Sequence, residues 1–349
     1  MKLLIVTQTL DSNHSVLGFF VRWVLEFAKQ CEQVTVFCLD KGDDVFPSNV
    51  TVIHVPRKWK GLKMWPLTLA YKAFVHREKY THVFVHMNPE YILSAGLIWK
   101  ILGKKINLWY AHGAVSLRLK LATVLCGSIF SSTPEGFRYK TSKLHIVGQG
   151  IDTSLYIGVN VERNLQTPIR LVSIGRTSTS KRLELLLETV ALLKNKHKIE
   201  AVCTIIGGPV TDKDVEYEKT LKDLIIKNSL QENIVWTGPL PLTQAIQILK
   251  TQDVFLHFGH TGSLDKAVLD AMMCGIIPMS TNEAVKNILD DVSAGFLYIQ
   301  NVENAAHKVY ELTQFTNEAM TTLRSDVKIY VEKKFSLKSL VQRIIEKIL

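Results

Sequence analysis

The chain predicts an α/β protein built from two doubly wound parallel sheets. Three observations carry this: short apolar runs recur along all 349 residues, helical patterns lie between most of them, and a strand, glycine loop and helix unit appears once in each half. In the first half the strand-like runs fall at 2–7, 34–39, 51–55, 82–86, 106–110, 128–131 and 143–147. In the second half they fall at 169–174, 201–206, 233–237, 253–257, 277–279 and 294–298. Val, Ile and aromatic residues crowd these runs, and turn-forming residues bound them.

A length of 349 residues with 47% hydrophobic content suffices for two ordinary cores. The expected domains are 1–163 and 164–335, joined by a polar linker near 158–167 that ends at Pro168. A last helix over 336–349 carries Leu337, Leu340, Val341, Ile344, Ile345 and Ile348 on one face. That periodicity fits docking within the second lobe as well as a return to the first. Cys31, Cys38, Cys126, Cys203 and Cys274 show no paired or metal-binding spacing, and they read as buried thiols of a reducing cytoplasm. The start of the chain reads as a first strand rather than a leader, because 7–14 is polar. No stretch approaches the roughly 18 apolar residues of a membrane span.

The net charge of +10 is unevenly placed: residues 1–165 hold 20 Lys and Arg against 11 Asp and Glu, the remainder 22 against 21. Within 57–65, Arg57, Lys58, Lys60 and Lys63 interleave with Trp59 and Trp65. Cations with interfacial aromatics suit an anionic membrane surface. Nucleic acid is not expected, since no helix-turn-helix, zinc spacing or RNA-binding signature accompanies the patch.

Two segments carry the chemistry. The run from Thr261 through Gly262, Ser263, Leu264, Asp265 and Lys266 to Asp270 reads as a tight loop feeding a helix N-terminus, which suits an anionic ligand such as a diphosphate. Asp265, Lys266 and Asp270 could sort its hydroxyls from its phosphates. About ninety residues earlier, a strand stops at Gly175, and a polar loop with Arg176 and Lys181 leads into a long helix. Two cations at a strand's carboxyl end suit the same diphosphate. Asp212 and Asp214 have a D-x-D spacing but read as acidic residues at a helix start, so no metal is expected. Ser132, Thr133 and Glu135 read as a helix cap. There is no H-E-x-x-H, G-x-S-x-G or P-loop pattern.

These motifs resemble those of retaining GT-B glycosyltransferases of glycosyltransferase family 4. The resemblance rests on Gly175-Arg176 with Lys181, on Asp270-Ala271-Met272-Met273-Cys274-Gly275, and on Gly148-Gln149-Gly150-Ile151-Asp152, and it spans essentially the whole chain. It implies two Rossmann-like domains facing a central cleft, with the last helix returning to the first. It implies a nucleotide-diphosphate sugar donor (UDP- or GDP-sugar), no metal, and a glycan or lipid-linked acceptor met in the cytoplasm or on the inner membrane face. Arg176, Lys181 and His112 would be catalytic. Gly18, Gly175, Ser263, Leu264, Asp265, Lys266 and Asp270 would bind the donor. Asn88 and Glu90, beyond the strand at 82–86, are candidates for the acceptor. The chain departs from the family where Gly262 replaces the first acid of its acid-x7-acid pair, and Asp270 stands for the second, usually glutamate. Two other readings therefore stay open: a GT-B sugar-nucleotide epimerase, and a lapsed enzyme that only binds nucleotide sugar.

Overall fold

Strands that alternate which face each side chain takes, yet are apolar on both, must be covered on both sides. That is what a computed structural model of the chain shows, for residues 1–58, 64–165, 167–259, 264–293 and 295–349. The chain divides into two units, 1–152 with 337–349, and 153–336.

The first unit holds β1 (Lys2–Leu10), α1 (Phe20–Gln30), β2 (Gln33–Lys41), β3 (Val50–His54), α2 (Trp65–Val75), β4 (His82–His86), α3 (Pro89–Ile101), β5 (Lys105–Trp109), α4 (Leu117–Leu125), β6 (Ser128–Ser131) and β7 (Leu144–Ile146). Its seven strands are all parallel, in the order β3-β2-β1-β4-β5-β6-β7. Leu3 and Ile5 of β1 enter a core with Phe20, Trp23 and Phe27 of α1, while Leu4 and Val6 enter the opposite core with residues of α2, α3 and α4.

The second unit holds β8 (Ile169–Ile174), α5 (Leu183–Leu192), β9 (Ala201–Ile206), α6 (Asp212–Lys227), β10 (Ile234–Gly238), α7 (Leu242–Leu249), β11 (Val254–His257), α8 (Lys266–Met273), β12 (Ile277–Ser280), α9 (Glu283–Ser293), α10 (Val302–Leu312) and α11 (Asn317–Lys334). Its parallel sheet runs β10-β9-β8-β11-β12. The buried Arg324 of α11 ties the sheet together, donating to Asp253 at 2.8 Å and to the Gly275 carbonyl at 3.0 Å.

The final helix, α12 (Leu337–Ile348), belongs to the first unit. Leu337, Leu340, Val341, Ile344 and Ile348 share the core of α1, each worth roughly 1.5–3 kcal/mol when buried. Arg343 also donates to the Val147 carbonyl at 2.9 Å.

Two expectations differ from this architecture. The division falls after Asp152 rather than after residue 163, because a short 3-10 turn, Thr153–Tyr156, is held in the second unit by the Tyr156 side chain. Of the strand expected at 294–298, residue 294 lies outside the described residues and the rest makes one bridge, Tyr298 with Ser280; Gly295 turns the chain there at φ +88°.

Candidate functional site

In each sheet the strand order reverses beside the first strand of its unit, between β1 and β4 and between β8 and β11. Crevices beyond the carboxyl ends of such strands are where doubly wound sheets take ligands. In the second unit that place is built by two backbones in close approach. A Cβ at Gly207 would meet the Gly175 carbonyl oxygen at 1.8 Å, and one at Gly175 would meet Lys181 Cε at 3.0 Å and Nζ at 3.1 Å. Both glycines also have positive φ, 148° at Gly207 and 141° at Gly175. Only glycine lets the β8 and β9 ends close up while leaving a channel for the lysine.

Lys181 lies in the 3-10 turn Thr179–Lys181, and its side chain is mostly buried. Its Nζ pairs with Asp265, the residue that caps α8 by accepting from the Ala267 N–H at 3.1 Å. His257, at the end of β11, brings Nε2 to the same carboxylate at 3.1 Å and sets Nδ1 against the Ser280 hydroxyl at 2.8 Å. That hydroxyl accepts from the Asn282 N–H at 3.0 Å. Burial alone would raise the Asp265 carboxyl, but Lys181 and then His257 outweigh it and hold the group well below the usual carboxylate range. One carboxylate therefore gathers β8, β11, β12 and α8 at the switch point.

One turn along α8, Lys266 reaches both oxygens of the buried Asp270, at 2.6 and 2.8 Å. The Tyr156 hydroxyl donates to the same carboxylate at 2.5 Å. Leu264, just before the cap, is buried. Arg176 is half exposed at the end of β8, 3.7 Å from Asp214. Burial would raise the Asp214 carboxyl, yet hydrogen bonds from Thr211 and Val210, with Arg176 beyond them, bring it below its ordinary value. Asp214 and Thr211 form a reciprocal capping box, so the D-x-D spacing is a helix start. Among the described residues no three His, Cys, Asp or Glu side chains gather as a metal set.

In the first unit, Gly18 precedes α1 and donates its N–H to the His14 carbonyl at 2.9 Å. A Cβ there would strike the His14 and Ser12 carbonyl oxygens at 2.6 Å. His112 is exposed beyond β5, and its Nδ1 accepts from the Ala114 N–H at 3.1 Å, which leaves the ring's proton on Nε2. Asn88 stands at the N-cap position of α3 without a side-chain capping bond and donates instead to the Tyr91 hydroxyl at 3.1 Å. Glu90 pairs with Arg118 at 2.9 Å. Neighbouring His86 is buried and stacked on Phe20, and burial pushes it down to about 3, so it serves as a neutral core ring. Thr133 caps the short turn Pro134–Gly136 that carries Glu135.

Thus the structure brings Gly175, Lys181, Asp265, Lys266 and Asp270 together in one unit. Ser263, with Thr261 and Gly262, lies outside the described residues, as do Trp59, Lys60 and Lys63. The described ends of the basic patch are engaged within the fold: Arg57 donates through Nε to Asp40 at 2.8 Å, and Trp65 packs edge-on against Tyr91. His257, Ser280 and Tyr156 were not expected at the site. A histidine closing a strand at the switch point is a signal that could have found the first. All five cysteines are buried thiols. Among the described residues no helix is long and apolar enough to cross a membrane.

Residues 160–325 match the family model described as glycosyl transferases group 1, and residues 10–126 match that of glycosyl transferase 4-like domains. An uncharacterized glycosyltransferase of Methanocaldococcus jannaschii is 24% identical over 185 residues, covering 52% of this chain and 45% of that protein. A component of the phosphatidylinositol N-acetylglucosaminyltransferase of Arabidopsis thaliana is 25% identical over 151 residues, covering 43% and 32%. The chain thus spans less than half the length of either relative. Among solved structures, Anabaena HepE in complex with UDP-glucose superimposes with a TM-score of 0.77 at 12% identity, over 100% of this chain and 99% of that one. A sucrose-phosphate synthase from Thermosynechococcus elongatus gives 0.76 at 13%, over 99% and 98%. A glycosyltransferase family model is thus matched within each unit, and the two parallel sheets have the GT-B fold of these structures.

Proposed function

We propose that the protein is a retaining glycosyltransferase of family 4 type that moves a hexosyl group from a UDP- or GDP-sugar to a glycan or lipid-linked acceptor in surface polysaccharide or glycolipid synthesis. The observation that carries this is the convergence of Lys181, the Asp265 cap of α8 and the β8 terminus at the switch point of the second sheet. A lysine ammonium has three protons, so Lys181 can serve Asp265 and a phosphate oxygen together. Arg176 supplies a second, more exposed cation. As the sugar–phosphate bond breaks, charge grows on the departing diphosphate, and positioned cations stabilise it there without a metal ion. Asp270 is set by Tyr156 and Lys266 to accept from ribose hydroxyls. His112 offers Nε2–H to a sugar hydroxyl. Structural neighbours that hold UDP, or UDP with glucose, support the nucleotide class of the donor.

The test is to incubate the protein with UDP- and GDP-sugars and candidate acceptors and follow all products. Transfer of the sugar with its anomeric configuration kept supports the proposal. Isomerised nucleotide sugar without acceptor would assign an epimerase, and binding without turnover a lapsed enzyme.

A further inference from the structure

The two faces of the first sheet are covered differently, and one cover leaves apolar side chains in water. On α2, α3 and α4, which pack side by side, Leu69, Ala73, Ile92, Trp99, Leu119 and Ala122 point into the core. The outward faces are apolar as well. Leu67 and Tyr71 on α2, Leu97 and Ile101 on α3, and Leu121 and Val124 on α4 are all half exposed or more, up to 86% for Ile101. Their spacing of three or four residues draws one stripe along each helix. Single exposed leucines are ordinary, but paired exposed apolar residues on each of three adjacent helices are of the kind that marks an interaction surface.

Charge identifies the occupant. Residues 64–125 contain eight Lys and Arg against two acids, Glu78 and Glu90, a net of +6. Glu90 is already paired with Arg118. Lys100 on α3 and Lys120 on α4 are exposed, and Arg77 lies over the exposed Phe74 ring at 4.6 Å. A second copy of the chain docking face to face would set this excess against itself. A polyanion such as nucleic acid would use the cations but leave the stripes wet.

We propose that the outer face of α2, α3 and α4 docks on an anionic lipid bilayer, with the stripes entering the headgroup boundary and the cations of these helices meeting lipid phosphates. This surface is distinct from the patch at 57–65 and does not depend on the transferase reading. The apolar rows supply adhesion to any lipid surface, and the cations make it selective for negative ones.

The experiment is co-sedimentation of the full chain with vesicles of phosphatidylcholine alone or mixed with phosphatidylglycerol. Wild type should partition to the mixed vesicles and weakly to the neutral ones. The triple variant Leu97→Ser, Ile101→Ser, Leu121→Ser should lose on the order of a hundredfold in partitioning. Lys72→Gln, Lys100→Gln and Lys120→Gln should each cost about fivefold on the mixed vesicles alone. All are surface changes, so unchanged circular dichroism and melting temperature confirm that folding is intact. The proposal is overturned if wild type ignores the mixed vesicles, binds neutral ones equally, or binds undiminished after the serine changes. It is also overturned if sedimentation velocity shows a dimer that those changes split, because a second copy would then cover the face.

Discussion

Replacing Asp265 with asparagine isolates the charge at the junction of the second sheet. Asparagine caps a helix about as well as aspartate, so α8 keeps its first hydrogen bond and the volume is unchanged. What is lost is the partner of Lys181, whose side chain is only 16% exposed, and of His257, which is buried. Leaving a largely buried cation unpaired costs about 3 kcal/mol, the low end of the range because a small part of the pair meets water. For a unit of the size of 153–336 that lowers its melting temperature by roughly 6–12 °C at neutral pH. Adding Lys181→Met should recover about 2 kcal/mol, since the unpaired charge is then gone, and the double-mutant cycle reads that coupling directly. The pH profile supplies a second check. A carboxyl held below its ordinary value gives stability that is complete above about pH 4 and lost as pH falls through the folded-state value. The gap between wild type and Asp265→Asn should therefore be constant from about pH 7 to 5 and close under more acidic conditions. A change under about 1 kcal/mol, or an additive cycle, would refute the reasoning.

Arg176→Ala should lower sugar transfer by roughly a hundredfold or more while leaving the melting temperature nearly unchanged, because the side chain is half exposed. Tyr156→Phe removes a hydroxyl that donates to the buried Asp270, and should cost about 1.5–3 kcal/mol in urea unfolding. Arg324→Met takes the guanidinium from the fully buried Asp253 and should cost about 3–5 kcal/mol by the same measurement.

The alternation of apolar residues made the strands legible, and most observed strands lie within a few residues of the expected ones. The exception, 294–298, shows the limit of reading composition, since Phe296, Leu297 and Tyr298 look strand-like while Gly295 turns the chain. Gly175, Lys181, Asp265 and Asp270 were legible because loop and helix-start chemistry is local. Tyr156 was not, for its partner Asp270 lies 114 residues away and only the folded chain joins them. The same holds for His257 and Ser280, which meet because β11 and β12 pair in register. The outer face of α2, α3 and α4 was hidden for a different reason. Helices apolar all round read as buried from sequence, and here one side of each meets solvent.

The central claim is that the carboxyl end of the second sheet grips a diphosphate through Lys181 and Arg176, and the direct measurement is thermal unfolding with UDP or GDP added to wild type and to Lys181→Met. At a hundredfold excess over the dissociation constant, wild type should gain about 2.7 kcal/mol, a rise of roughly 5–10 °C for the unit 153–336, and the variant should gain almost none. No rise in wild type with either nucleotide, or an equal rise in both proteins, would contradict the account.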